Sequence, residues 1–147
     1  MADILEKLSQ DMKNAVKKQN KFTLSVIRML RSELKYAEIA AGAPLSTQEV
    51  TDVLARELKK RKDAAQAFAE AGRDQAAEDL LREQAIIQLY LPDPFTEQEV
   101  RAIIASVIEA SSAQKSDFGK VMAGVMPQVR GRCDGSIVSR LVKEMLN

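Results

Sequence analysis

The chain has 147 residues, 46% of them hydrophobic and 29% charged, with a formal net charge of +1. That is an ordinary soluble composition with room for one domain or two small ones, and it lacks the strongly basic balance usual in nucleic-acid proteins. Histidine is absent and cysteine occurs once, which excludes imidazole acid–base catalysis, Ser-His-Asp and Cys-His nucleophiles and an internal disulfide, and leaves too few soft ligands for zinc.

Aromatic residues make up only 4% and tryptophan is missing. The core must come from Leu, Ile, Val, Ala and Met, which favours packed helices. The apolar periodicity predicts an all-α protein throughout. From Asp3 to about Lys18, Ile4, Leu5, Leu8, Met12 and Val16 form one helical face. Met1-Ala2-Asp3 opens into this helix without a secretory pattern, and the lone cysteine suits a reducing compartment, so the cytoplasm is the expected address. No apolar run is long enough to cross a membrane.

A second helix is predicted from Phe22 to about Ala41, with Val26, Ile27, Leu30 and Leu34 inward. Arg28, Arg31 and Lys35 share another of its faces. That stripe suits either a phosphate backbone or plain water. Gly42-Ala43-Pro44 ends the helix. Ser46-Thr47-Gln48-Glu49 reads as a capping box for a long third helix to about Ala71, with Val50, Val53, Leu54, Leu58 and Phe68 inward. This helix carries Lys59-Lys60-Arg61-Lys62, the densest cationic run, which must fan around the axis. Gly72 stops it, and Asp74 is a natural cap for a fourth helix from Gln75 to about Tyr90, with Glu78 and Arg82 spaced to pair.

Leu91-Pro92-Asp93-Pro94-Phe95 marks a boundary, since two prolines stop a helix and stiffen the link. The expected organisation is a four-helix lobe over 1–91, a proline-containing linker over 92–95, and a three-helix lobe over 96–147. The linker carries little with which to bury itself. Thr96-Glu97-Gln98-Glu99 is a second capping box, opening a helix with Val100, Ile103, Ile104, Val107 and Ile108 inward. Ser116 is the expected cap of the sixth helix. Gly119 and Ala123, four apart, leave a nearly bare face on it, and Pro127 falls inside its pattern. In Arg130-Gly131-Arg132-Cys133-Asp134-Gly135, Gly131 is a left-handed helix stop and Asp134 an N-cap for the last helix, whose apolar stripe runs from Ile137 to Leu146.

That last turn sets two arginines beside a fresh helix N-terminus. Such a place can hold a phosphate; the same cations also suit a helix C-terminus. Asp117-Phe118-Gly119 and Gly119-Lys120 echo nucleotide-enzyme motifs but lack the accompanying residues.

Several landmarks together resemble one family. They are Leu24-Ser25-Val26-Ile27-Arg28-Met29-Leu30, Lys60-Arg61-Lys62-Asp63-Ala64, Ala71-Gly72-Arg73, Tyr90-Leu91-Pro92, Gly119-Lys120-Val121-Met122, Met126-Pro127, Gly131-Arg132 with Asp134-Gly135, and Leu141-Val142-Lys143-Glu144. In order and across nearly the whole chain they resemble the YqeY family, itself similar to the C-terminal tail of the B subunit of glutamyl/aspartyl-tRNA amidotransferase. Cys133 stands where the family pattern suggests a smaller residue such as alanine, and Pro94-Phe95 is less usual. The resemblance implies a helical module without catalysis of its own that holds tRNA, with a protein of the tRNA-aminoacylation or amidation machinery as a further partner. A carbon–nitrogen ligase label would follow by family alone, and no residue constellation supports it. The candidate phosphate contacts are Arg130 and Arg132, flanked by Lys120 and Lys143, with Lys60 and Lys62 as a second patch. No catalytic residue, cofactor, metal or membrane contact is expected. The alternative is a protein-interaction adaptor or stress-related helical protein, binding through exposed Met and Ala faces without RNA.

Overall fold

The structure is a computed structural model that describes residues 3–147; the opening Met1-Ala2 lies outside the described residues. The described residues form an all-α protein of seven helices: α1 (Ile4–Lys17), α2 (Lys21–Ala41), α3 (Thr47–Glu70), α4 (Asp74–Gln88), α5 (Glu97–Ser111), α6 (Phe118–Val129) and α7 (Gly135–Leu146). The chain divides into two compact units, the first ending at Pro92 and the second running Asp93–Asn147.

Both capping boxes form. Ser46 Oγ accepts from the Glu49 N–H while Glu49 accepts from the Ser46 N–H. Thr96 and Glu99 exchange the same pair of bonds, each 3.1 Å. Each box satisfies donors that a helix start would otherwise leave orphaned. Two other starts differ from expectation. Asp74 is the first residue of α4, whose N-cap is Arg73 with no side-chain bond. Asp117, not Ser116, precedes α6, and its carboxylate turns back to accept from the Gln114 N–H. Arg82 does not pair with Glu78; it lies 3.9 Å from Asp79 and stacks over the Phe22 ring.

In the first unit Leu8, Ile27, Leu30, Leu54 and Ile87 are fully enclosed. Two expected members of the α1 face, Leu5 and Val16, remain exposed, and Ala15 is buried instead. The buried arc is centred on Leu8 and Ala15, so Leu5 and Val16, turned about 70° and about 90° from that centre, fall at its edge, as 100° per residue requires.

In the second unit Val100, Ile104, Val121, Val125, Val138 and Leu141 form the centre. Ring and sulfur groups from Phe95, Phe118, Met122, Met126 and Met145 pack around it. The linker therefore does bury part of itself: Phe95 packs against the second core, while Leu91, the last residue of the first lobe, joins the first. Limited proteolysis should cut beside Pro92, and the C-terminal fragment should keep its helicity by circular dichroism if it begins at Asp93. A fragment that unfolds alone would show that the units depend on one another.

The close approach in α6 falls at Gly124, not at the Gly119/Ala123 face. A Cβ at Gly124 would meet Val107 Cγ1 at 2.8 Å, whereas Gly119 has open space. Val107 cannot easily yield, because a β-branched side chain in a helix is held to one rotamer. Gly124→Ala should lower stability by about 1–2 kcal/mol, overpacking outweighing the helix-propensity gain. Gly119→Ala, without that clash, should be neutral or stabilising by up to about 1 kcal/mol. Thermal melts of the two variants provide the comparison.

Candidate nucleic-acid interface

The turn between α6 and α7 is built by Gly131 at φ 78°, a conformation open to glycine without a Cβ penalty. The Arg132 N–H then closes back on the Val129 carbonyl at 2.9 Å. Asp134 caps α7 by accepting from the Ser136 N–H at 3.0 Å. The helix N-terminus is thus present, but a carboxylate already answers it. Cys133 is half-buried against the second core, so the larger residue is accommodated by packing.

Arg130 is exposed beside this turn. Arg132 is not the free surface cation expected from sequence. Its Nε donates to the Asp93 carbonyl at 2.8 Å, its guanidinium lies 3.7 Å from the Phe95 ring centroid, and its own carbonyl accepts from the Phe95 N–H at 2.8 Å. The positive φ at Gly131 reverses the chain and brings Arg132 to the linker. Arg132 also helps hold the Glu99 carboxyl below its usual range, after the larger effect of the Thr96 hydrogen bonds. Arg132→Ala should therefore destabilise the second unit by about 1–3 kcal/mol, through a lost charge-assisted bond and a lost ring contact. Arg132→Lys should recover only part, lacking the planar fork. Urea titration of both variants distinguishes this from a pure surface role.

The flanking cations differ. Lys120 is exposed, and Lys143 is exposed with its ammonium 5.5 Å from the Phe118 ring centroid. Arg101 and Arg140 are engaged in a closed ring with Glu97 and Glu144, at separations of 2.8–3.5 Å. This ring ties α5 to α7, and its Arg101 bond holds the Glu144 carboxyl below its usual range.

The Lys59–Lys62 run fans as helical geometry demands. Lys60 and Lys62 face solvent. Arg61 turns inward, its side chain 13% exposed, to meet a Glu57 side chain that is 7% exposed. Its Nη1 donates to Glu57 Oε2 at 2.6 Å and to the Glu57 carbonyl at 2.9 Å, and Nη2 lies 3.1 Å from Met29 Sδ. Lys60 adds a 3.1 Å contact to Glu57 from the outside. Burial pushes the Glu57 carboxyl up, but hydrogen bonds from Arg61 and Lys60 outweigh it and leave the pKa below the usual range. The sequence reading missed Glu57. The signal was there: it continues the Val50, Val53, Leu54 stripe and stands four residues before Arg61. A second buried polar contact, also missed, joins Tyr90 Oη to Asp11 Oδ2 at 2.5 Å. Burial first, then Asp11, raises the Tyr90 phenol well above its usual range.

The six nominated cations are divided between the units: Arg130, Arg132, Lys120 and Lys143 belong to the second, and Lys60 and Lys62 to α3 of the first.

The family described as Yqey-like protein matches residues 5–146. The chain belongs to the YqeY family. The family match spans α1 to α7 and thus both units. Among relatives, "Altered inheritance of mitochondria protein 41, mitochondrial" of Pyrenophora tritici-repentis (strain Pt-1C-BFP) is 26% identical over 146 residues, 97% of this chain and 81% of that protein. The protein of the same name from Clavispora lusitaniae (strain ATCC 42720) is 34% identical over 88 residues, 60% of this chain and 51% of that protein. Both names place those relatives in mitochondria. Among the described residues, no helix of this chain is long and apolar enough to cross a membrane.

Proposed function

We propose that this YqeY-family chain is a non-catalytic RNA-holding module, that its ligand is tRNA, and that it works in the cytoplasm beside the tRNA-amidation machinery. The observation that carries the reading is that five of the six nominated cations, Arg130, Lys120, Lys143, Lys60 and Lys62, are exposed. Exposed cations can release counterions from phosphates, which is the main source of sequence-independent affinity. Resemblance to a tRNA-holding tail supports the choice of ligand. The Asp134 carboxylate at the α7 cap opposes phosphate there, so contact should be modest and shape-based.

The adaptor reading rests on exposed Met and Ala faces. Met12, Met29, Met122, Met126 and Met145 are packed against the two cores, which leaves it the exposed alanines such as Ala67, Ala102, Ala105 and Ala123.

The test is tRNA binding measured across a salt series. Arg130→Ala with Lys120→Ala should weaken binding and lower the log–log salt slope by about 1.4–1.8, at about 0.7–0.9 per lost phosphate contact. Lys60→Ala with Lys62→Ala assigns the share of the first unit. Wild-type protein that binds tRNA no better than a neutral helical bundle would end the RNA reading.

A further inference from the structure

Between residues 12 and 35, seven lysines and arginines face a single carboxylate, Glu33. The local excess is hidden in a near-neutral chain. Lys13, Lys17 and Lys18 belong to α1 and its C-cap, and the other four, Lys21, Arg28, Arg31 and Lys35, lie on the outer face of α2. At 100° per residue, Lys21, Arg28, Arg31, Lys35, Tyr36 and Ile39 fall within an arc of about 140°, and all six are exposed. The cations run about 21 Å from Lys21 to Lys35, at about 1.5 Å per residue. The two carboxylates of α2, Glu33 and Glu38, lie outside this arc at half-buried positions. Lys21, Arg28 and Lys35 make no ion pair among the described residues. Arg31 is steadied against α1, its Nη1 2.9 Å from Met12 Sδ.

Tyr36 is the unexpected member. It is 67% exposed, and among the described residues no hydrogen bond or ring contact holds it. The other tyrosine, Tyr90, is buried against Asp11. A bare aromatic ring at the end of a cationic track is the arrangement by which sequence-tolerant single-strand binders hold nucleic acid: cations follow the backbone and a ring stacks on a base.

We propose that the outer face of α2 binds single-stranded RNA, with Arg28, Arg31 and Lys35 tracking phosphates and the Tyr36 ring stacking on one unpaired base. The inference rests on the preceding reading for its ligand class and places the contact on a different surface. A membrane surface fits less well, because the apolar side of α2, Val26, Ile27, Leu30 and Leu34, is buried in the core and cannot enter a bilayer. A protein partner would use the Tyr and Arg of this face, which interfaces favour, but Lys21 and Lys35 count against it, since lysine is depleted from interface centres.

The chain contains no tryptophan and two tyrosines, so intrinsic emission comes from Tyr36 and Tyr90, and the share that Tyr36→Phe removes is that of Tyr36. Adding a short oligouridylate to the full chain should quench that emission. Tyr36→Ala should weaken binding about tenfold, as loss of one stacked base does, and Tyr36→Phe should stay within about twofold of wild type. Arg28→Gln with Lys35→Gln should lower the salt slope by about 1.4 while leaving quenching at saturation intact. Circular dichroism of each variant confirms an unchanged helix content. The proposal is overturned if Tyr36→Ala binds oligouridylate as wild type does. It is also overturned if phosphatidylserine vesicles bind the protein while oligouridylate leaves its emission unchanged, which assigns the face to a lipid surface. If tRNA binding is lost with Arg130 and Lys120 but indifferent to Tyr36, the α2 proposal fails and the preceding reading survives. The converse result spares the α2 proposal alone.

Discussion

Arg61→Met should destabilise the first unit by about 3–5 kcal/mol, a large share of its stability, because it strands a buried carboxylate. Glu57 sits inside with its main partner 2.6 Å away. Lys60 remains, but its side chain is 68% exposed, so its charge is screened. The variant should also reverse the local pH dependence. In the wild type the Glu57 pKa is depressed, so its contribution is present above the unfolded carboxylate pKa and lost as pH falls through the lower folded value. Without Arg61, burial dominates and the folded pKa rises above the unfolded one. Stability then falls as pH rises through the carboxylate range. The double variant Glu57→Leu with Arg61→Met should regain most of the loss, since a well-packed apolar pair often replaces a buried ion pair without penalty. Urea titrations at several pH values measure all of this. A single variant that loses less than about 1 kcal/mol would assign the pair to the ordinary surface class.

Leu141→Ala should remove most of the stability of the second unit. Leu141 is fully buried at its centre, and such truncations cost about 2–5 kcal/mol. At roughly 0.05–0.15 kcal/mol per residue, a unit of roughly 55 residues holds only about 3–8 kcal/mol. Amide hydrogen exchange should show protection lost from α5 to α7 while α1 to α4 stay protected. Equal loss in both units would show that they unfold as one. Small size is the physical reason for the sensitivity, since a short chain buries a smaller fraction of its surface.

The sequence by itself determined the all-α class, the seven helices, both capping boxes, the Gly131 stop and the Asp134 cap. Each is a local matter: periodicity, a cap three residues from its partner, or a glycine at a positive φ, all within a few residues along the chain. It also carried the family resemblance. Only the tertiary structure decided which cations stay outside. Arg132 and Arg130 look equivalent in sequence, yet Phe95 and the Asp93 carbonyl, far along the chain, hold Arg132 in a clip. Arg140 is occupied by Glu97 from another helix. Arg61 is drawn inward beside Met29, while Tyr36, an aromatic that composition would assign to a core, stands in water. The neighbour that engages or exposes such a side chain comes from a different helix, and packing between helices, not spacing within one, sets which neighbour that is.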